Sequence, residues 1–266
     1  MRYVIDHDYH VHSKLSTCSR HPEQTSERIL QYAKDFGLKK VVIANHYWDR
    51  AVAGANSWYA SQDFDWISQA KPLPQADGIE LIFGCEGEMD VNFNLSIPKE
   101  RFDEFGFIVI PTTHLNNVGL GISQEDAASP EGRARAWVNR LDAVLHMELP
   151  FHKVGIAHLA CALIAPGKPD DYVAALAAIS DEDLVRLFTR AAEVGVGIEL
   201  NSDDFSRDLI EIPHVIRIFK TAKACGCKFY LASDAHTPDQ LDIATQRFNR
   251  AIDLLALTED DKFSLR

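Results

Sequence analysis

The chain has 266 residues, 46% hydrophobic and 25% charged, which excludes disordered, collagen-like and disulfide-scaffold classes. Its 39 acids against 27 bases give a net charge of −12. A general nucleic-acid binder needs a basic face and is disfavoured, leaving at most a mononucleotide or short oligonucleotide as a nucleic-acid partner.

Seven short apolar runs read as buried strands: Tyr3 to Ile5, Val41 to Ala44, Ile79 to Phe83, Phe107 to Ile110, Val154 to Ala157, Val196 to Leu200 and Phe229 to Ala232. Helical faces fall between them. Ile29, Leu30, Ala33 and Phe36 share one face, with Gly37 placed as a C-cap. Ser180 and Asp183 have capping-box spacing before Leu184, Leu187, Phe188 and Ala191, and Gly195 ends that run. Ile212, Val215, Ile216 and Phe219 make a third face, ended by Gly226. Alternating strands and helices argue for an α/β fold with a parallel sheet, and seven such units for a closed or nearly closed barrel.

Two stretches break this rhythm. An aromatic-rich insertion at about 47–78 carries Trp48, Trp58, Tyr59, Phe64 and Trp66, and Leu115 to Pro130 is rich in Gly, Asn and Ser. Long barrel loops often cover an active site, so a lid and a packed surface excursion are both open readings of the insertion. The expected organisation is one domain over 1–266. Irregularly spaced cysteines and the lack of a long apolar stretch point to a cytoplasmic chain with no signal peptide and no membrane contact.

Metal-type side chains cluster where the apolar runs end. His10 and His12, at i and i+2 after the first run, face one side of an extended chain and can grip one ion together. Asp8 shares that face as a ligand or an orienting partner. His46, Glu86, His114 and His158 follow the next four runs, Asn201 and Asp203 the sixth, and Asp234 and His236 the seventh. In a barrel these ends converge on one face, where active sites are built. Mixed His and carboxylate donors without a thiolate cluster suit Zn, Mn or Fe. There are more donors than one ion can use, so two or three divalent ions sharing carboxylates are expected. That arrangement serves phosphoester hydrolysis.

The ordered set, from Asp8-Tyr9-His10-Val11-His12 to Ser233-Asp234-Ala235-His236-Thr237, resembles the PHP (polymerase and histidinol phosphatase) family along the whole chain. The resemblance implies a distorted (β/α)7 TIM-like barrel with three metal ions. His10, His12, Glu86 and Asp234 would hold the first, and Glu86 would bridge to a second held by His114 and His158. His21, His46 and His236 would hold the third, with Cys18 a bystander. A metal-bridged hydroxide would attack phosphorus, with Asp234, His236 and Arg207 as the catalytic set. Arg207 would clamp the phosphate, with Arg20 as the second candidate, and Asp234 or a metal-bound water would protonate the leaving group.

The activity so implied is hydrolysis of a small phosphomonoester: histidinol phosphate or a related metabolite or nucleotide phosphate. A phosphodiester, a protein phosphotyrosine, or a metal-binding regulatory role without turnover are the alternatives. His7, His146, His152 and His214 lie outside the motifs and read as surface or helix residues. Glu88 reads equally as a partner of the centre or as part of a polar strand face.

Overall fold

The computed structural model describes residues 1–265, with the side chain of Arg207 outside that description. Seven strands, β1 (His7–Val11), β2 (Lys40–Tyr47), β3 (Glu80–Gly87), β4 (Phe107–Pro111), β5 (Val154–Ala157), β6 (Gly197–Asn201) and β7 (Lys228–Ala232), pair in chain order. Every pairing is parallel.

Parallel neighbours need crossovers, and helices supply most of them. These are α1 (Ser26–Phe36), α2 (Phe64–Ile67), α3 (Gln124–Ala127), α4 (Pro130–Leu145), α5 (Pro169–Ala178), α6 (Asp181–Val194), α7 (Arg207–Ile210), α8 (Pro213–Ala224) and α9 (Pro238–Leu255). Gly37, Ser180 and Gly195 cap their helices where the sequence placed them. Thr25 accepts the Arg28 N–H ahead of α1, and Gly37 closes that helix in the left-handed region at φ 69°. Ser180 accepts the Asp183 N–H ahead of α6, and Gly195 closes it at φ 75°. Helix α8 stops earlier than expected, with Cys225 rather than Gly226 as its cap.

The ring of strands closes at the β1–β7 seam through single contacts. Asp234 donates its N–H to His10 O at 2.7 Å, and His12 donates to Ala235 O at 3.1 Å. Below them the His7 Nε2 and Asp8 Oδ1 accept the Leu231 and Ser233 N–H groups. The architecture is a nearly closed, distorted (β/α)7 TIM-like barrel.

One strand assignment needs correction. The first strand is His7–Val11, not Tyr3 to Ile5. Its five residues are all buried despite their polarity, because His7 and Asp8 each find partners across the seam. Strands β2 and β3 also outrun their apolar cores, so His46 and Glu86 lie on the strands themselves rather than beyond them.

Period-two alternation then sets the chemistry of the barrel interior. Tyr9, Val42, Ala44, Phe107, Val109, Ala157, Tyr230 and Ala232 pack together there, with Phe263 and Leu265 of the C-terminal segment beneath. The Tyr230 ring lies over Gly155, where an added Cβ would meet it at 2.5 Å. Two residues further along the strands the inward series turns polar: Ala44 gives way to His46, Gly84 to Glu86, and Ala232 to Asp234. The apolar floor therefore ends in a polar upper layer.

Candidate metal centre

Four buried histidines are each held by an outer partner through Nδ1. The His10 Nδ1 faces Glu199 Oε2 at 3.0 Å, and the His114 Nδ1 faces Glu88 Oε2 at 2.7 Å. A carboxylate only accepts, so both Nδ1 atoms carry the proton. The His12 Nδ1 lies 2.8 Å from Ser16 Oγ, whose own proton goes to Asn45 Oδ1. The His158 Nδ1 lies 2.8 Å from Thr113 Oγ1, whose proton goes to His158 O. In all four rings the proton is committed outward and the Nε2 lone pair is presented inward. Outer partners of this kind orient metal-binding histidines.

The inward atoms converge. The His12 Nε2 is 3.1 Å from His10 Nε2 and 3.0 Å from Asp234 Oδ1. The His158 Nε2 is 3.2 Å from Glu86 Oε1, and the His114 Nε2 is 3.7 Å from the same oxygen. The Glu86 Oε2 lies 2.8 Å from His46 Nδ1 and 3.4 Å from His12 Nε2, yet it is buried without a hydrogen bond. Lone pairs packed this closely repel unless positive charge sits among them. The donor set, nitrogen and carboxylate oxygen, therefore fits divalent cations. Two groups with ligand atoms within 4.8 Å of one another are His10, His12 and Asp234, and Glu86, His114 and His158.

The ionisation equilibria express the same demand. Burial opposes charge on His10, but Asp234, Glu199 and Glu86 outweigh it and hold the ring well above its ordinary value. Burial would raise Glu86 and Asp234, but the surrounding histidines hold both well below the usual carboxylate range. Backbone strain marks the same place. His158 and Asp234 adopt positive φ, 30° and 51°. Such strain persists where the surroundings over-determine it: Glu199 accepts the His158 N–H and His10 O accepts that of Asp234.

A third group does not match the expected residues. Cys18, His12, His46 and His236 present ligand atoms within 4.8 Å of one another, and His21 is not among them. His21 is exposed, its Nδ1 accepting the Glu23 N–H at 3.3 Å. The loop after β1 folds back through Ser19, whose Oγ donates to His236 O, so it delivers Cys18 rather than His21. The Cys18 Sγ therefore stands in the place expected for His21. Desolvation would raise its thiol, but His46 and His236 bring it down to about 7.

The centre opens into a cavity of about 880 Å³. Trp58 and Tyr59 of the insertion and Asn116 and Asn117 of the second irregular stretch form part of its wall. Trp58 stands edge-on to His46, with ring centroids 4.9 Å apart. The insertion is therefore built into the site, while Trp48 is buried and packs against Tyr59. Among the described residues no Lys or Arg lines the cavity. The side chain of Arg207 lies outside the described residues, and Arg20 is exposed and donates to Thr17 O. Asn201 donates to Glu199 and Asp234, and Asp203, on the cavity wall, pairs with Arg247.

Glu199 and Arg140 escaped the sequence reading, and Glu88, Asp8 and His7 take definite places. Glu199 is fully buried and accepts from His10, Tyr230, Asn201 and the His158 N–H. Its signal was an acid inside the apolar run Gly197-Ile198-Glu199-Leu200-Asn201. Glu88 is buried, receives Tyr59, His114 and Arg140, and is held down to about 2, where burial is outweighed by His114. Arg140 was visible, beside Arg133, as a cation on the buried face of α4. Asp8 staples the seam and bonds to Tyr32 rather than joining the inward atoms. His7, read as a surface or helix residue, is buried in β1.

No protein-family model and no curated protein matches the chain. A crystal structure of histidinol phosphate phosphatase from Lactococcus lactis subsp. lactis Il1403, complexed with zinc, L-histidinol and phosphate, is similar to it. That protein is 17% identical, with 96% of this chain and 94% of that chain covered and a TM-score of 0.59. The two chains share a fold. A probable 2-pyrone-4,6-dicarboxylic acid hydrolase from Acinetobacter baumannii, with citric acid bound, aligns at 14% identity over 97% of each chain, with a TM-score of 0.39.

Proposed function

We propose that this chain is a metal-dependent phosphatase acting on a small phosphomonoester. The carrying observation is the set of four inward Nε2 lone pairs, each with its Nδ1 proton held outside, around the Glu86 and Asp234 carboxylates. His10, His12, Glu86 and Asp234 would hold one divalent ion, Zn, Mn or Fe, and Glu86, His114 and His158 a second. A third position has His46 and His236. Such ions lower the pKa of water and stabilise charge on phosphoryl oxygens.

The chain's own residues do the positioning. Glu199, Glu88, Ser16 and Thr113 fix the ring orientations, and Trp58 closes one side of the cavity against water and bulky substrates. The cavity is of the size that takes a small molecule. Its lack of Lys and Arg among the described residues weighs against a polynucleotide, whose backbone needs cations. Zinc, L-histidinol and phosphate bound to the Lactococcus protein support the same substrate class. Five free cysteines support a cytoplasmic setting.

The test is phosphate release by protein loaded separately with Zn, Mn and Fe, across phosphomonoesters including histidinol phosphate, with a diester and a phosphotyrosine peptide beside them. Turnover confined to monoesters and lost in Glu86→Gln is expected. Metal-loaded protein that releases phosphate from no monoester would refute the reading.

A further inference from the structure

The inward atoms of the centre are nitrogen and oxygen with one exception, the sulfur of Cys18. Its Sγ and one ring nitrogen from each of His12, His46 and His236 lie within 4.8 Å of one another. An imidazole with its Nδ1 proton committed has one lone pair to give. The His12 lone pair, on Nε2, lies among His10, Asp234 and Glu86, so His12 belongs to the first position. That leaves Cys18, His46 and His236, and all three line the cavity.

The loop that carries Cys18 is anchored on both sides. Thr17 donates its N–H to Gln62 Oε1 at 2.8 Å, Ser19 N–H goes to Ser16 O at 2.9 Å, and Ser19 Oγ goes to His236 O at 2.7 Å. Cys18 is therefore held beside His236 by its neighbours. Three protein donors and one side open to a cavity is the pattern of a reaction-supporting zinc site rather than a closed structural one.

We propose that Cys18 binds a divalent ion as a thiolate together with His46 and His236, making this position of the centre soft. On binding, the S–H bond breaks heterolytically: the proton passes to solvent and the sulfur electron pair goes to the ion. Thiolate donors select zinc-class ions over manganese, so the third position discriminates where the nitrogen and carboxylate positions do not. The inference rests on the reading of the centre as a metal site.

Cobalt(II) tests it, because cobalt–thiolate bonds absorb by charge transfer in the near ultraviolet and cobalt–imidazole bonds do not. The chain is titrated anaerobically with cobalt, and bound metal is counted by elemental analysis. The expected result is a charge-transfer band in the parent protein, lost in Cys18→Ser and kept in Cys161→Ser, which removes the other cavity-lining thiol. Cys18→Asp should keep the metal count, lose the band and take manganese in competition with zinc. Cobalt bound in full without the band, or a band that survives Cys18→Ser, would overturn the thiolate assignment and leave the centre standing. Parent protein that retains no cobalt would overturn both.

Discussion

Replacing Glu199 with Gln changes one oxygen to an amide without changing shape, and the structure dictates where the amide must go. Glu199 Oε1 accepts the His158 N–H at 3.1 Å and Asn201 Nδ2 at 2.8 Å. A backbone N–H cannot reverse its polarity, so the Gln oxygen stays on that side. The new NH2 then faces His10 Nδ1 and the Tyr230 hydroxyl, which the carboxylate receives at 3.0 and 2.9 Å. Tyr230 can rotate its proton away and accept. His10 can accept only by moving its proton to Nε2, which destroys the inward lone pair. The lost charge-assisted bond costs ~1.5–3 kcal/mol of stability. Removal of an outer partner typically weakens metal binding ~10–100-fold. Urea unfolding of chelated protein and competition against a chromophoric chelator read the two effects separately. Tyr230→Phe is the control: it touches the same oxygen but not His10, and should lower stability without weakening metal binding. A Gln variant that matches the parent in both assays would refute the tautomer argument.

Three further changes follow from the same geometry. Arg140→Met takes the guanidinium from the buried Glu88 carboxylate and the donor from the Thr112, Met89 and Gly121 carbonyls, which should cost ~3–5 kcal/mol in chemical denaturation; a loss below ~1 kcal/mol would contradict this. Asp204 is buried with an unpartnered Oδ1, and burial pushes it up to about 8 despite the opposing His158. From the ordinary value of 3.8 up to about 8 only the folded chain keeps this proton, so its contribution is full below that window and lost as pH rises through it. The stability of chelated parent relative to Asp204→Asn should fall by ~1.4 kcal/mol per pH unit there, and a flat difference would exclude the effect. Trp58→Ala should alter substrate preference or KM with little effect on unfolding. Trp48→Ala should instead lower stability by ~3–5 kcal/mol, since Trp48 is core and Trp58 is cavity wall; the reverse pattern would be contrary.

The strands and the ends of the best-capped helices were legible because burial on both sides of a parallel sheet leaves an uninterrupted apolar run. The strand that failed, β1, is polar in sequence and apolar only in effect, since its His7 and Asp8 are satisfied by backbone groups more than two hundred residues away. Chain order cannot show such partners. The same limit hid Glu199 and Arg140, whose roles depend on contacts across the barrel. The inward histidines were legible from their place at strand ends. The resemblance implies His21 for the third group, whereas the loop brings Cys18 there. The path is set by Ser19 reaching His236 O, a contact that no local pattern announces.

The most direct test of the account is the anomalous scattering map of crystals grown with zinc. The account predicts density peaks enclosed by the Nε2 atoms of His10, His12, His114 and His158 and by both Glu86 oxygens, with every Nδ1 still facing its outer partner. Zinc absent from this cluster, or bound through Nδ1 with the rings turned away from Glu199, Ser16, Glu88 and Thr113, would contradict it.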